Sequence, residues 1–340
     1  MSLFRTEGTH CYGVEFSPFG DGKIALATSQ YFGIVGNGRQ YVVASPPGGN
    51  GPIAQVRVFE TQDGLYDCAW SECNPNQLVS ASGDGSVKLW DLNTTDNFPV
   101  QNFREHSQEC ASVDWNLVRK DCFVTSSWDS TLKLWFPERP SSARTFAEHA
   151  GPVYNAIWSP RNPSTFVSCS GDGTIKVWDM NAPRSSCTVA AHPTEVLAVD
   201  WNKYNEFGVV TGSVDKTLRV WDLRKPMRPV SRLLGHEFAV RRLKCSPHSE
   251  NIVGSVSYDM TTMFWNIADG SMVSRANHHN EFVLGLDFDL FHPGNVATCS
   301  WDEHMCIFNF QRGPPPQRIP PVPRVRSSNN KPPRALQPQQ

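Results

Sequence analysis

No stretch of this 340-residue chain approaches the roughly 20 consecutive apolar residues of a membrane-crossing helix, and its N-terminus, MSLFRTEGTHC, lacks a basic segment followed by an apolar run. A membrane span and a secretory leader are therefore not expected, and the chain reads as a soluble cytoplasmic protein. A surplus of charge is missing as well. The 31 basic side chains face 33 acidic ones, so neither a nucleic-acid footprint nor a polyacidic surface dominates, and partners must be recognised locally. Closely paired cysteines are also absent. Ten cysteines occur, but Cys110, Cys169, Cys245 and Cys299 sit in strand-like patterns beside apolar residues, and neither Cys68/Cys73 nor Cys299/Cys306 has the short spacing of a zinc site. Buried thiols in a reducing compartment are expected, with no metal and no cofactor. There is no HExxH, no Walker loop and no dinucleotide fingerprint, and the SGDGS and SGDGT stretches read as hairpin turns rather than phosphate loops. An enzyme is not expected.

What is present is a repeat. In HAGPVYNAIWSPRNPSTFVSCSGDGTIKVWD (149–179), the turn residue Asp172 follows His149 by 23 positions and Ser170 by two, and Trp178 lies six later. The spacing returns at His106/Ser127/Asp129/Trp135, His192/Ser213/Asp215/Trp221, His236/Ser257/Asp259/Trp265 and His279/Ser300/Asp302/Phe308. A further copy, Ser82/Asp84/Trp90, has Thr61 in place of the His, and the terminal aromatics step by 43 to 45 residues. That period is one propeller blade. Each copy holds an alternating strand, a second strand, a tight polar turn and a third strand ending in the aromatic. A buried turn carboxylate needs hydrogen-bonding partners, so the recurring Ser/His/Asp set is expected to be an architectural tetrad with the Trp, not a hydrolytic triad.

These residues resemble the WD-repeat family, whose blades are four-stranded antiparallel sheets. The expectation is an all-β, seven-bladed propeller over residues 1–310. An irregular first blade, from His10 to about Phe59, has no turn Asp or terminal Trp and carries the insertion SPPGGNGP before its last strand. The last repeat meets QRGPPP after three strands, so Ser2–Glu7 is expected to supply its missing outer strand and shut the ring. The remainder, 311–340, holds nine prolines, six basic residues and no acid, and is expected to be a disordered basic tail, with PPVPR a conceivable ligand motif.

In the family, the residues three and five after the blade His, and the one before the turn Asp, surround the central opening. Here they are Gly64, Tyr66 and Gly83; Glu109, Ala111 and Trp128; Pro152, Tyr154 and Gly171; Glu195, Leu197 and Val214; Ala239, Arg241 and Tyr258; Phe282, Leu284 and Trp301. The ring is aromatic and acidic, which suits a partner bearing apolar and cationic side chains. The candidate peptide-binding residues are therefore Glu109, Glu195, Trp128, Tyr258, Trp301, Tyr66, Tyr154, Arg241 and Phe282.

A more specific likeness is carried by HCYGVEFSPF, QYFGIVGNGR, DGLYDCAWSE, TSSWDSTLKLW, VDWNKYNE, GHEFAVRRLKCSPH, VSYDM, HHNEFVLGLDF and SWDE. These stretches, from about Phe4 to Phe308, resemble the import receptors for the N-terminal, type 2 peroxisomal targeting signal. The resemblance implies a cytosolic receptor, cycling to the peroxisome, for a nonapeptide signal. That signal has a basic and an aliphatic residue, five spacers, then His or Gln and an aliphatic one. It also implies a co-receptor beside the cargo and the peroxisomal docking machinery as partners. One rival remains: SVDKTLRVWDLR, Ser213 to Arg224, resembles the box by which some WD proteins act as substrate adaptors of cullin-RING ubiquitin ligases.

Overall fold

Each repeat folds as one four-stranded antiparallel sheet, and the computed structural model contains seven of them. It describes residues 1–34, 36–46, 51–312 and 318–319. Blade four shows the plan: an inner strand Val153–Trp158, then Thr165–Ser170, Thr174–Asp179 and an outer strand Ser185–Ala190. The irregular first repeat is a full blade of strands His10–Phe16, Lys23–Ser29, Gly38–Ala44 and Ala54–Thr61. Its insertion lies between the last two, and residues 47–50 fall outside the described residues. Apolar faces are buried between blades rather than within them. Val79, Leu89 and Phe103 of blade two, for example, share a cluster with Val113, Trp115, Phe123 and Trp135 of blade three. Cys110, Cys169, Cys245 and Cys299 are buried in these strands. Among the described residues no helix is long and apolar enough to cross a membrane.

The ring is shut at blade seven. Ser2–Arg5 pairs antiparallel with His304–Asn309, Ser2 opposite Ile307 and Arg5 opposite His304. Arg5 also reaches Glu303 at 3.1 Å, and Phe4 meets Tyr41 of blade one edge-on at 5.8 Å. The closing strand therefore removes an open ladder and covers the seam with the first blade.

The tetrad differs from expectation in one member. His149 Nδ1 lies 2.8 Å from Asp172 Oδ2, and its Nε2 lies 2.7 Å from the hydroxyl of Ser168, not of Ser170. The Trp178 indole N–H donates to that same hydroxyl at 2.8 Å. In blade five the hydroxyl is Thr211, not Ser213: it lies 2.8 Å from His192 Nε2 and accepts from the Trp221 indole at 3.0 Å, with His192 Nδ1 2.9 Å from Asp215. Thr125 and Ser255 fill the place in blades three and six. Donor logic fixes the direction: the indole gives to the hydroxyl, the hydroxyl to Nε2, and Nδ1–H to the carboxylate. Ser170 and Ser213 serve the backbone instead. Each accepts the turn Asp N–H at 3.2 Å and donates to a loop carbonyl, of Gly151 and Glu195 respectively. Residues two apart on a strand share a face, so spacing alone did not separate the two hydroxyl rows. Burial alone would raise the turn carboxylates, but the His, Thr and backbone donors outweigh it and hold Asp172 well below the ordinary range and Asp259 at about 2.

Blade seven ends in Phe308 and has no indole to donate. His278 takes that place: its Nε2 lies 3.1 Å from the Thr298 hydroxyl, which His279 Nε2 also meets at 2.9 Å. The His278 ring packs on Phe308 at 4.9 Å. Burial and the neighbouring His279 push its pKa down to about 2, so it is a neutral N–H donor throughout the physiological range.

The channel through the ring is blocked at mid-depth. Asp67 of blade two and Arg242 of blade six meet across it at 2.8 Å, both buried. Below them Asp287 lies 3.7 Å from Lys244. Carboxylates here clamp neighbouring blades: Glu15 accepts the Trp70 N–H at 2.6 Å, Asp114 that of Trp158 at 2.7 Å and Asp287 that of Phe16 at 2.9 Å.

The tail reading needs a correction at one point. Ile319 is only 2% exposed, donates its N–H to His278 O at 2.8 Å and accepts from the Asn280 side chain at 2.6 Å. Residues 313–317 and 320–340, including PPVPR, lie outside the described residues.

Two predictions follow from this architecture. Ser168→Ala strands both the Trp178 indole and His149 Nε2 and should cost about 2–4 kcal/mol, whereas Ser170→Ala should cost about 1; equal losses in denaturant melts would refute the assignment. Removing residues 1–7 should lower the melting temperature by several degrees or leave the protein aggregated, and a truncated chain melting with the full one would show that the ring closes otherwise.

Candidate functional site

The top mouth of the ring is built by a device repeated in every blade. Each inner strand carries one register shift, and the residue inside it is Tyr12, Tyr66, Ala111, Tyr154, Leu197, Arg241 or Leu284. A bulge leaves its extra residue unpaired and re-aims it, here toward the central opening. The other two positions are held together by one hydrogen bond. The N–H of the residue before the turn Asp donates to the carbonyl three residues after the blade His: Trp128 to Glu109 at 3.0 Å, Val214 to Glu195 at 3.1 Å, Tyr258 to Ala239 at 3.2 Å and Trp301 to Phe282 at 3.0 Å. The tetrad fixes both ends of this bond, since the His begins one loop and the Asp ends the other.

Together these residues line a cavity of about 550 Å³. Tyr66, Glu109, Trp128, Tyr154, Glu195, Arg241, Tyr258 and Trp301 all face it. Phe282 packs against Tyr258 at 4.9 Å and Trp301 at 5.2 Å, supporting the wall from behind. Four residues of the irregular first blade join them: Tyr12, Phe32, Gly33 and Ile34. Sequence reasoning passed over these because blade one lacks the Asp and Trp that set the count. A signal was there in the adjacent aromatics Tyr31 and Phe32, placed in a hairpin loop where a turn needs only small residues. Gly33, at φ +72°, is held against the Tyr12 and Tyr66 rings, and its carbonyl accepts the Tyr66 hydroxyl at 2.9 Å.

The wall has two chemistries. An aromatic arc runs from Trp128 to Tyr66 (6.4 Å), Tyr12 (5.2 Å), Trp301 (5.8 Å), Phe282 and Tyr258, with Phe32 set between His10 and Trp301. Facing it stand Glu109, the pair Tyr154–Glu195 joined at 2.5 Å, and Arg241. Glu195 is exposed and Glu109 partly so. The Glu109 carboxylate makes no hydrogen bond among the described residues, so a cation entering the mouth meets an uncommitted acceptor. Trp128, 39% exposed, and Ile34, 85% exposed, stand at the rim. Burial, with Asp63 and Glu109 nearby, pushes the Tyr66 phenol up to about 12. Burial and the bond to Glu195 push Tyr154 above the ordinary phenol range, and burial does the same for Tyr12.

The WD domain, G-beta repeat family matches residues 54–91, 97–135, 140–179, 184–222 and 227–266, each the outer strand of one blade with the first three strands of the next, from blade two to blade six. The irregular first blade and the Phe-ended seventh are reached by whole-chain relatives. The peroxisomal targeting signal 2 receptor of Dictyostelium discoideum is 59% identical over 304 residues, covering 88% of this chain and 95% of that protein. Peroxisome biogenesis protein 7 of Arabidopsis thaliana is 56% identical over 309 residues, 90% and 96% of the two chains, and the mouse peroxisomal targeting signal 2 receptor is 49% identical over 307 residues, 90% and 95%. The chain belongs to the peroxisomal targeting signal 2 receptor family. Among the described residues His106, His149, His192, His236 and His279 each meet the turn Asp through one ring nitrogen and a strand hydroxyl through the other, so these five are committed to holding their blades. In the box from Ser213 to Arg224, the exposed Arg224 holds Asp222 through two bonds of 2.9 and 2.7 Å and lies 5.0 Å over the Phe207 ring.

The phenols allow a test of the groove's interior. Their raised pKa values mean that the stability they contribute is whole below about pH 10, the unfolded value, and is lost as pH rises through the folded values. An ultraviolet phenolate titration should show Tyr12, Tyr66 and Tyr154 ionising only with or after unfolding, and Tyr154→Phe should remove one late-ionising group. Early ionisation of all the tyrosines near pH 10 would contradict the buried wall.

Proposed function

We propose that the top groove binds the N-terminal type 2 peroxisomal targeting signal of cargo proteins. The chain would act as a soluble import receptor, joined by a co-receptor and delivering cargo to the peroxisomal docking machinery as it cycles between cytoplasm and peroxisome. The observation that carries this reading is the pairing, in one mouth, of an aromatic arc with the carboxylates of Glu109 and Glu195. The names of the relatives supply the class of ligand. The first and eighth residues of such a signal are two turns apart on a helix, so its basic and aliphatic groups share one face. The aliphatic groups then meet the aromatic arc and the basic group meets Glu109 or Glu195.

A charge-assisted contact covered by a second protein is worth about 1.5–3 kcal/mol, and the same contact open to water less than about 1. Labelled signal peptide titrated at two salt concentrations should therefore bind more weakly to Glu109→Lys, and more weakly still to the double change with Glu195→Lys. The loss should grow when co-receptor is present. Trp128→Ala and Trp301→Ala should weaken binding with little added salt dependence. If both Lys variants fold and bind with unchanged affinity, the signal lies elsewhere on the propeller.

A further inference from the structure

The inner strand of blade six, Val240–Cys245, carries three cations, Arg241, Arg242 and Lys244. Two of them have a carboxylate partner: Arg242 meets Asp67 at 2.8 Å, and Lys244 lies 3.7 Å from Asp287. Arg241, the bulged residue of that strand, makes no hydrogen bond, ion pair or ring-stacking contact among the described residues. Its Nη1 is buried without an acceptor, while the side chain faces the top cavity. Glu195 of the adjoining blade five is taken by the Tyr154 hydroxyl at 2.5 Å. Burial raises the Tyr12 and Tyr154 phenols, and the charge of Arg241 opposes it in both. The guanidinium therefore stands among aromatic hydroxyls with no carboxylate paired to it.

A guanidinium has five N–H donors and cannot shed its proton, and leaving it partly buried and uncompensated is costly. The cost is offset where a bound molecule brings an acceptor. We propose that Arg241 is a specificity-determining residue of the groove, reading a hydrogen-bond acceptor, a carboxamide or a carboxylate, on the bound peptide and rejecting a cation there. This rests on the groove being the signal site. Blades three and six are three places apart in the ring of seven, so the uncommitted Glu109 and the unpaired Arg241 form two poles across the mouth. A helix whose first residue gives its cation to Glu109 carries its eighth residue toward Arg241, about 10 Å further along the axis and on the same face. The C-terminal end of that helix bears partial negative charge, which the guanidinium also favours. The groove thereby selects direction as well as position, since a reversed helix sets cation against cation.

The test titrates the full chain with labelled signal peptides that differ only at the eighth residue: Gln, Glu, Ala or Lys. The Gln and Glu peptides should bind about tenfold more tightly than the Ala peptide, and the Lys peptide should be the weakest of the four. Arg241→Met keeps the apolar stem and drops the charge. It should lose the preference and bind the Lys peptide more tightly than the unaltered chain does, whereas Arg241→Lys should still disfavour that peptide. An intact preference in a folded Arg241→Met chain overturns the proposal, and so does an equal loss for all four peptides, which makes the residue structural. Should Arg241→Met fail to fold, the unaltered chain decides alone: a Lys peptide that binds as well as the Glu peptide, or better, sinks the assignment. Glu109→Lys separates this from the groove reading. If it weakens all four peptides but no preference exists at the eighth residue, only the role of Arg241 fails; if it changes none of them, the groove reading fails and the role of Arg241 with it.

Discussion

In blades three to seven one hydroxyl has to satisfy two rings at once, and the architecture of the top face depends on it. Ser168 accepts from the Trp178 indole and gives to His149, which in turn holds Asp172. The linkage is buried, so leaving any member unpaired is costly. It ties the third strand, the second strand, the entering loop and the turn into one unit. Where a member is missing the chain finds a substitute. Blade two has no His, and Asp84 pairs with Lys88 at 3.2 Å instead. Blade seven has no indole, and His278 supplies the donor. Three local solutions meet one requirement, which is why the loops above them stay in register despite the sequence differences.

The two mouths of the ring are consequently unlike. At the top, bulged residues and turn residues line the mouth, and the Glu109 carboxylate makes no hydrogen bond among the described residues. Toward the bottom, the inner strands carry carboxylates that are consumed by the neighbouring blade's N–H groups and by Lys244. Burial would lower that lysine's pKa, but Asp287, Asp200, Glu15 and Asp114 hold it above the ordinary lysine range. Asp114, with burial opposed chiefly by Lys244, is pushed up to about 7. Charge at the bottom is internal cement, while at the top Glu195 stays exposed and accepts the Tyr154 hydroxyl.

Much of this was legible in the sequence because the blade period is rigid. Once His, Asp and Trp are counted, Glu109, Glu195, Trp128, Tyr258 and Trp301 fall on one mouth without knowledge of a single distance. The count fails where its markers fail. Tyr12, Phe32, Gly33 and Ile34 belong to the blade that has neither turn Asp nor terminal Trp, so nothing set their register. The tetrad hydroxyl was misassigned between Ser168 and Ser170 because both rows are hydroxyls on the same face of the same strand. The docking of Ile319 was out of reach for another reason. A single aliphatic residue in a Pro-rich basic stretch carries no period, and its burial depends on a notch formed by His278 and Asn280 far away in sequence.

The salt bridge between Asp67 and Arg242 gives the ring a floor. A seven-membered ring of sheets has a hole by construction, yet here two buried side chains from opposite sides bar it at mid-depth. The vessel is a cup rather than a pipe. Under the proposed function, a helix that entered it would not be threaded through to the far side, and loading and unloading would use the same doorway.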